Sequence, residues 1–156
     1  MKLPHPNVLY IVTTLVVCVG VGMGIYLHGS GAYNEIGTIG KNVGSFQHLT
    51  ERFKVLADTK GAEYAYEILS RADLPPNTDL HLLGHTVGDE LYKQKGVAGI
   101  ALCTQDFRNA CSHSIVIGAL NEFGGEQALS LIRDACLKAP GGNGAYTMCY
   151  HGLGHG

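Results

Sequence analysis

Four of the eight histidines in this chain fall into two copies of one pattern, His-x-Leu-Gly-His, once as His81 to His85 and once as His151 to His155. Histidines four apart on a helix project from one face, which is a chelating geometry for a transition metal. Imidazole suits zinc, copper, iron or nickel. His113 stands alone between the two copies, because Ile117 occupies the place of its i+4 partner. Asp89 lies one further turn beyond His85 and is a candidate carboxylate ligand or outer-sphere partner. The candidate metal site is therefore His81, His85, His113, His151 and His155, with Asp89 beside them.

The expected occupant is a transition metal ion (zinc, iron or copper), with haem held by two histidines as the lesser alternative. Protease-type HExxH is excluded, since Leu82 stands where the glutamate belongs. Glu-x-x-His pairs of the di-iron carboxylate type are absent, and so is the Cys-x-x-Cys-His signature of covalent haem attachment. Each histidine taken singly has a plainer reading, as a packing residue whose ring bonds a neighbouring carbonyl. The pattern leaves open whether the site is catalytic and what its substrate is.

Positioning these rings requires helices, and the chain supplies an all-α pattern. FQHLTERFKVLAD, residues 46 to 58, and GAEYAYEILSRA, residues 61 to 72, carry apolar residues at helical spacing. Pro75 and Pro76 stop the second. Thr78 or Asp79 can cap a third helix running to about Lys95. Further helical stretches are expected over about 97–103, 110–123 and 126–138, divided by Gly124-Gly125 and by PGGNG at 140–144. No alternating run suggests a strand.

The order hints at a repeat, in which an alanine-rich helix precedes a second helix with a histidine near its start: Asp79-x-His81, Cys111-x-His113 and Cys149-x-His151. The fold expected is a small domain of stacked helical hairpins, αα-repeat-like, over residues 46–156, cut short within its third unit at the C-terminus. Cys103, Cys111, Cys136 and Cys149 fit the same scheme. Pairing 103 with 111 and 136 with 149 would staple each hairpin across its loop; as free thiols they would instead be zinc ligands.

From Val8 to Leu27 the chain carries no charge. As a helix, such a stretch covers about 30 Å, the thickness of a bilayer core. It is longer than the apolar core of most signal peptides, so residues 1–28 read as an N-terminal transmembrane helix and membrane anchor; cleavage near Ser30 to Ala32 is the rival. Residues 29–45, rich in glycine, read as a tether. Lys2 ahead of the apolar run favours a cytoplasmic N-terminus, and paired cysteines favour an oxidising compartment. The expected location is the membrane, single-pass, with the C-terminal domain outside the cytoplasm.

A formal net charge of −2 gives no case for nucleic acid. The expected partners are the membrane and a protein partner or second copy of the chain. Two functions compete at this stage: a membrane-anchored extracytoplasmic helical domain with a His-rich metal or haem site, and a non-catalytic interaction scaffold of disulfide-stapled hairpins.

Overall fold

A computed structural model describes residues 14, 16–17, 31, 34–41 and 43–155, with the backbone alone at His155. Its elements are helical, and among the described residues there is no strand. The apolar run 8–27 lies outside the described residues apart from positions 14, 16 and 17, as does Cys18. Among the described residues no helix is long and apolar enough to cross a membrane.

Helix α1 (Phe46–Lys60) starts where the Ser45 side chain accepts a hydrogen bond from His48 N–H, and it buries Leu49, Phe53, Leu56 and Ala57. Helix α2 (Ala62–Arg71) follows after a single glycine, Gly61, at φ 96°. The Gln94 amide bridges that break, accepting from Ala62 N–H and donating to the Ala57 carbonyl. One side chain thus satisfies an orphan N–H at the start of α2 and adds a second donor to the Ala57 carbonyl, which already accepts from Gly61 N–H.

Helix α3 (Leu80–Lys95) is capped by Asp79, whose carboxylate accepts from Leu82 N–H at 3.0 Å. It buries Leu83, Val87 and Leu91, a stripe at helical spacing. After 3-10 turns at Gly96–Leu102 and Asp106–Asn109 come α4 (Ala110–Phe123), α5 (Gly125–Cys136), α6 (Gly142–His151) and a last 3-10 turn, Gly152–His155. Helix α4 is central: α3, the first 3-10 turn, α5 and the C-terminal turn all pack on it.

Helices α3 and α4 meet at backbone distance, and two glycines allow it. A Cβ on Gly84 would lie 2.8 Å from the Phe107 Cβ and 2.9 Å from the Ala110 Cβ. On Gly88 it would lie 2.8 Å from the Ser114 Cβ and 3.0 Å from the Cys111 Cα. These glycines cost helix propensity, about 1 kcal/mol each against alanine, and the close packing of the two helices offsets it.

Both disulfides expected from the sequence are present, Cys103–Cys111 and Cys136–Cys149. All four cysteines of the helical domain are therefore bonded, which removes them as zinc ligands.

Three expectations are corrected. Residues 34–41 are helical rather than an irregular tether; Ile39 is buried in the core, and Lys60 pairs with Glu35 to tie this stretch to α1. The stretch expected as a helix over 97–103 is a 3-10 turn, wedged so that Gly99 meets the side chains of Ile115 and Leu91. His151 ends α6 instead of starting a helix, because the chain turns at Gly141 (φ 119°) and α6 begins inside the glycine run. The second His-x-Leu-Gly-His therefore crosses from α-helix into 3-10 turn and does not repeat the geometry of the first.

Candidate metal centre

The histidine-bearing elements lie side by side, and their rings form a row. His81 and His85, on successive turns of α3, have ring centroids 4.7 Å apart with planes near perpendicular at 80°. His113 of α4 follows at 6.3 Å from His85, and His151 at the end of α6 lies 6.0 Å from His113. The order in space is His81, His85, His113, His151. The ring of His155 lies outside what is described.

Burial varies along the row. His113 is 4% exposed, enclosed by α4 and the C-terminal turn, where a Cβ on Gly152 would come 3.0 Å from its Cδ2. His81 and His85 are half-buried, and His151 is exposed. His81 also lines a surface cavity of about 370 Å³ together with Thr78, Asp79, Leu80, Phe107 and Arg108.

Hydrogen bonds fix two of the rings. Nδ1 of His81 lies 2.7 Å from the Phe107 carbonyl oxygen. A carbonyl only accepts, so this nitrogen carries a proton, and the lone pair of the neutral ring sits on Nε2. Nδ1 of His85 lies 3.0 Å from Ser114 Oγ, and the Ser114 hydroxyl donates to the His85 carbonyl at 3.0 Å. The single hydroxyl proton is committed there, so His85 Nδ1 donates to Oγ, and again the lone pair belongs to Nε2. Donation of one ring nitrogen to a protein acceptor is the arrangement that orients metal-binding histidines.

The Phe107 carbonyl is itself held in place. Phe107, Arg108 and Asn109 have φ of 56°, 54° and 63°, three consecutive left-handed residues without a glycine. Each costs roughly 1–2 kcal/mol, least at asparagine. The surroundings impose the turn. Cys103–Cys111 closes it, and Asn109 O accepts from the Ser112 hydroxyl. From α2, Tyr66 donates its hydroxyl proton to Thr104 Oγ1 at 2.7 Å and accepts from Thr104 N–H, while Thr104 Oγ1 donates to Asp106. The Tyr66 ring also packs edge-on against Phe107, centroids 6.0 Å apart. Burial pushes the Tyr66 phenol up from its ordinary value, outweighing the Thr104 hydrogen bonds, which act to lower it.

Asp89 is exposed on α3, and its charge acts on Lys93. Glu90, one residue on, is buried and accepts from Lys93 Nζ at 2.7 Å. Among the described residues no group of three or more His, Cys, Asp or Glu side chains is arranged to hold one metal ion. The rings of His81, His85, His113 and His151 follow one another in a row. Ser114 and the Phe107 carbonyl escape the sequence reading; no pattern marks a serine beside His113 as the partner of a histidine 29 residues earlier.

No family model, no curated protein and no solved structure matches the chain.

Proposed function

We propose that this chain is a membrane-anchored extracytoplasmic domain of stacked helical hairpins that binds a transition metal ion through imidazole nitrogens of His81, His85, His113 and His151. Zinc, copper and iron are the candidate ions. Haem between two of the rings is a lesser reading, and His155 and Asp89 are adjunct ligands. The anchor is the apolar run 8–27, and the two disulfides support an oxidising compartment.

The observation that carries the reading is the pair of fixed rings: His81 and His85 both spend Nδ1–H on a protein acceptor and so carry their lone pairs on Nε2. A histidine that merely packs also bonds a carbonyl. Two oriented this way on adjacent turns, with two more imidazoles continuing the line, form a row of Lewis bases. A proton wire is a poorer fit, because the Phe107 carbonyl is a dead end for a proton delivered by His81.

Elemental analysis of the purified full chain tests this. Metal should be present in the wild type and should fall in the His81→Ala/His85→Ala variant. A wild-type chain without metal would favour the alternative, a non-catalytic interaction scaffold. The feature favouring that alternative is an apolar groove of about 330 Å³ lined in part by Val97, Ala98, Ala101, Leu131 and Ala135. Leu129 and Leu137 are exposed on the same α5 region.

A further inference from the structure

The geometry points to a relay: a divalent, imidazole-preferring ion is held by two histidines at a time and passes along the row through the buried His113, between two solvent-facing mouths at His81 and His151. This rests on the metal-binding reading above and specifies how that site works.

Three features of the row carry it. The first is spacing. With metal–nitrogen bonds of about 2.0–2.1 Å, two imidazoles on one ion have centroids about 5 Å apart at a tetrahedral angle and about 6.5 Å apart in line. The spacings of 6.3 and 6.0 Å fall within that span and 4.7 Å lies just below it, a ligand angle somewhat under tetrahedral, so neighbouring rings are spaced to share an ion. The second is order: the rings run His81, His85, His113, His151, so His85 and His113 each belong to two neighbouring pairs. An ion leaving one pair exchanges one ligand and keeps the other.

The third is the exposure profile. A dead-end site would have one mouth and a buried floor. Here the buried ring is in the middle: His113 is 4% exposed, His151 is exposed at one end, and His81 lines a surface cavity at the other. Gly152 brings the C-terminal turn against the His113 ring, which closes the middle of the row.

The ligand class follows from the donors. The four domain cysteines are in disulfides and supply no thiolate, so ions that demand soft sulfur are not favoured. A two-imidazole position also imposes little geometry. Occupancy then follows intrinsic affinity, which peaks at Cu²⁺ and places Zn²⁺ below it.

The test uses the full chain in detergent with ¹⁵N-labelled imidazoles, read by nuclear magnetic resonance. Zn²⁺ serves as a diamagnetic probe, because a nitrogen shifts on coordination only where it binds. Below one equivalent of Zn²⁺, the nitrogens of His81, His85, His113 and His151 should shift together in proportion to added ion, and Cu²⁺ should displace the Zn²⁺. In the His85→Ala/His151→Ala variant, the buried His113 should lose its shift, because both of its neighbours are gone. Both substitutions are at rings more exposed than His113, and circular dichroism confirms the fold. Shifts confined to one fixed pair would overturn the relay and leave metal binding standing. A His113 shift that survives in the double variant would also overturn it. No shift at any histidine would sink the relay and the metal reading together.

Discussion

Ser114 holds His85 at two points: its hydroxyl donates to the His85 carbonyl and accepts from the His85 ring, each at 3.0 Å. One residue of α4 therefore sets both the backbone position and the tautomer of a ring on α3. It can do so because Gly88 lets the helices approach until a Cβ there would lie 2.8 Å from the Ser114 Cβ.

Ser114→Ala keeps that packing and removes the hydroxyl. Loss of such an outer-sphere partner typically costs about 10–100-fold in metal affinity. Calorimetric titration with Zn²⁺ should show a drop in that range, with the helical circular dichroism retained. Unchanged affinity would mean that the Ser114 contact does not orient a ligand.

Arg108 is exposed at φ 54° in the left-handed turn that carries the Phe107 carbonyl. Alanine there keeps the backbone strain, whereas glycine relieves roughly 1–2 kcal/mol of it and returns part through its greater unfolded-state freedom. Arg108→Gly should therefore be more stable than Arg108→Ala by about 1 kcal/mol in chemical denaturation. Equal stabilities would show that the turn is not strained at this position.

Most of the helical framework is legible in the sequence because apolar periodicity and caps are local properties. The stripe of Leu83, Val87 and Leu91 and the Asp79 cap mark α3 from its residues alone. The disulfide pairing is legible for the same reason, since each bond closes a short loop. The adjacency of His81, His85, His113 and His151 is only partly so: the spacing suggests it, but the close approach that produces it depends on what faces Gly84, Gly88 and Gly152. The left-handed run 107–109 is hidden, because phenylalanine and arginine carry no signal for it and the turn is imposed by contacts from α2 and the disulfide. The helix over 34–41 is hidden because its glycines mask Ile36 and Ile39, which pack on the core.

The Cys136–Cys149 bond ties α5 to α6 and thereby places His151. The chain-entropy model gives about 3 kcal/mol for a loop near this size. A Cys136→Ser/Cys149→Ser variant should lose about that much stability in urea and should also weaken Zn²⁺ binding at His151. Full stability would mean that α6 docks without the bond.

Tyr92 donates to Glu122 at 2.5 Å, and its phenol is pushed up to about 12, by burial first and by the Glu122 carboxylate second. The folded state therefore keeps this proton where the unfolded chain, titrating near 10, has lost it. Its contribution to stability is complete below about pH 10 and declines as pH rises from there toward about 12. Denaturation midpoints measured across that window should fall more steeply for the wild type than for Tyr92→Phe. Parallel curves would contradict the assignment.

The central claim is that imidazoles of this row bind metal, and pulsed electron paramagnetic resonance of the full chain loaded with one equivalent of Cu²⁺ reads it directly. The remote nitrogen of a coordinated imidazole gives its own modulation, and combination lines reveal a second ring on the same ion. The account predicts combination lines from two imidazoles per copper; a bound copper without imidazole modulation, or a chain that leaves the copper in solution, would contradict it.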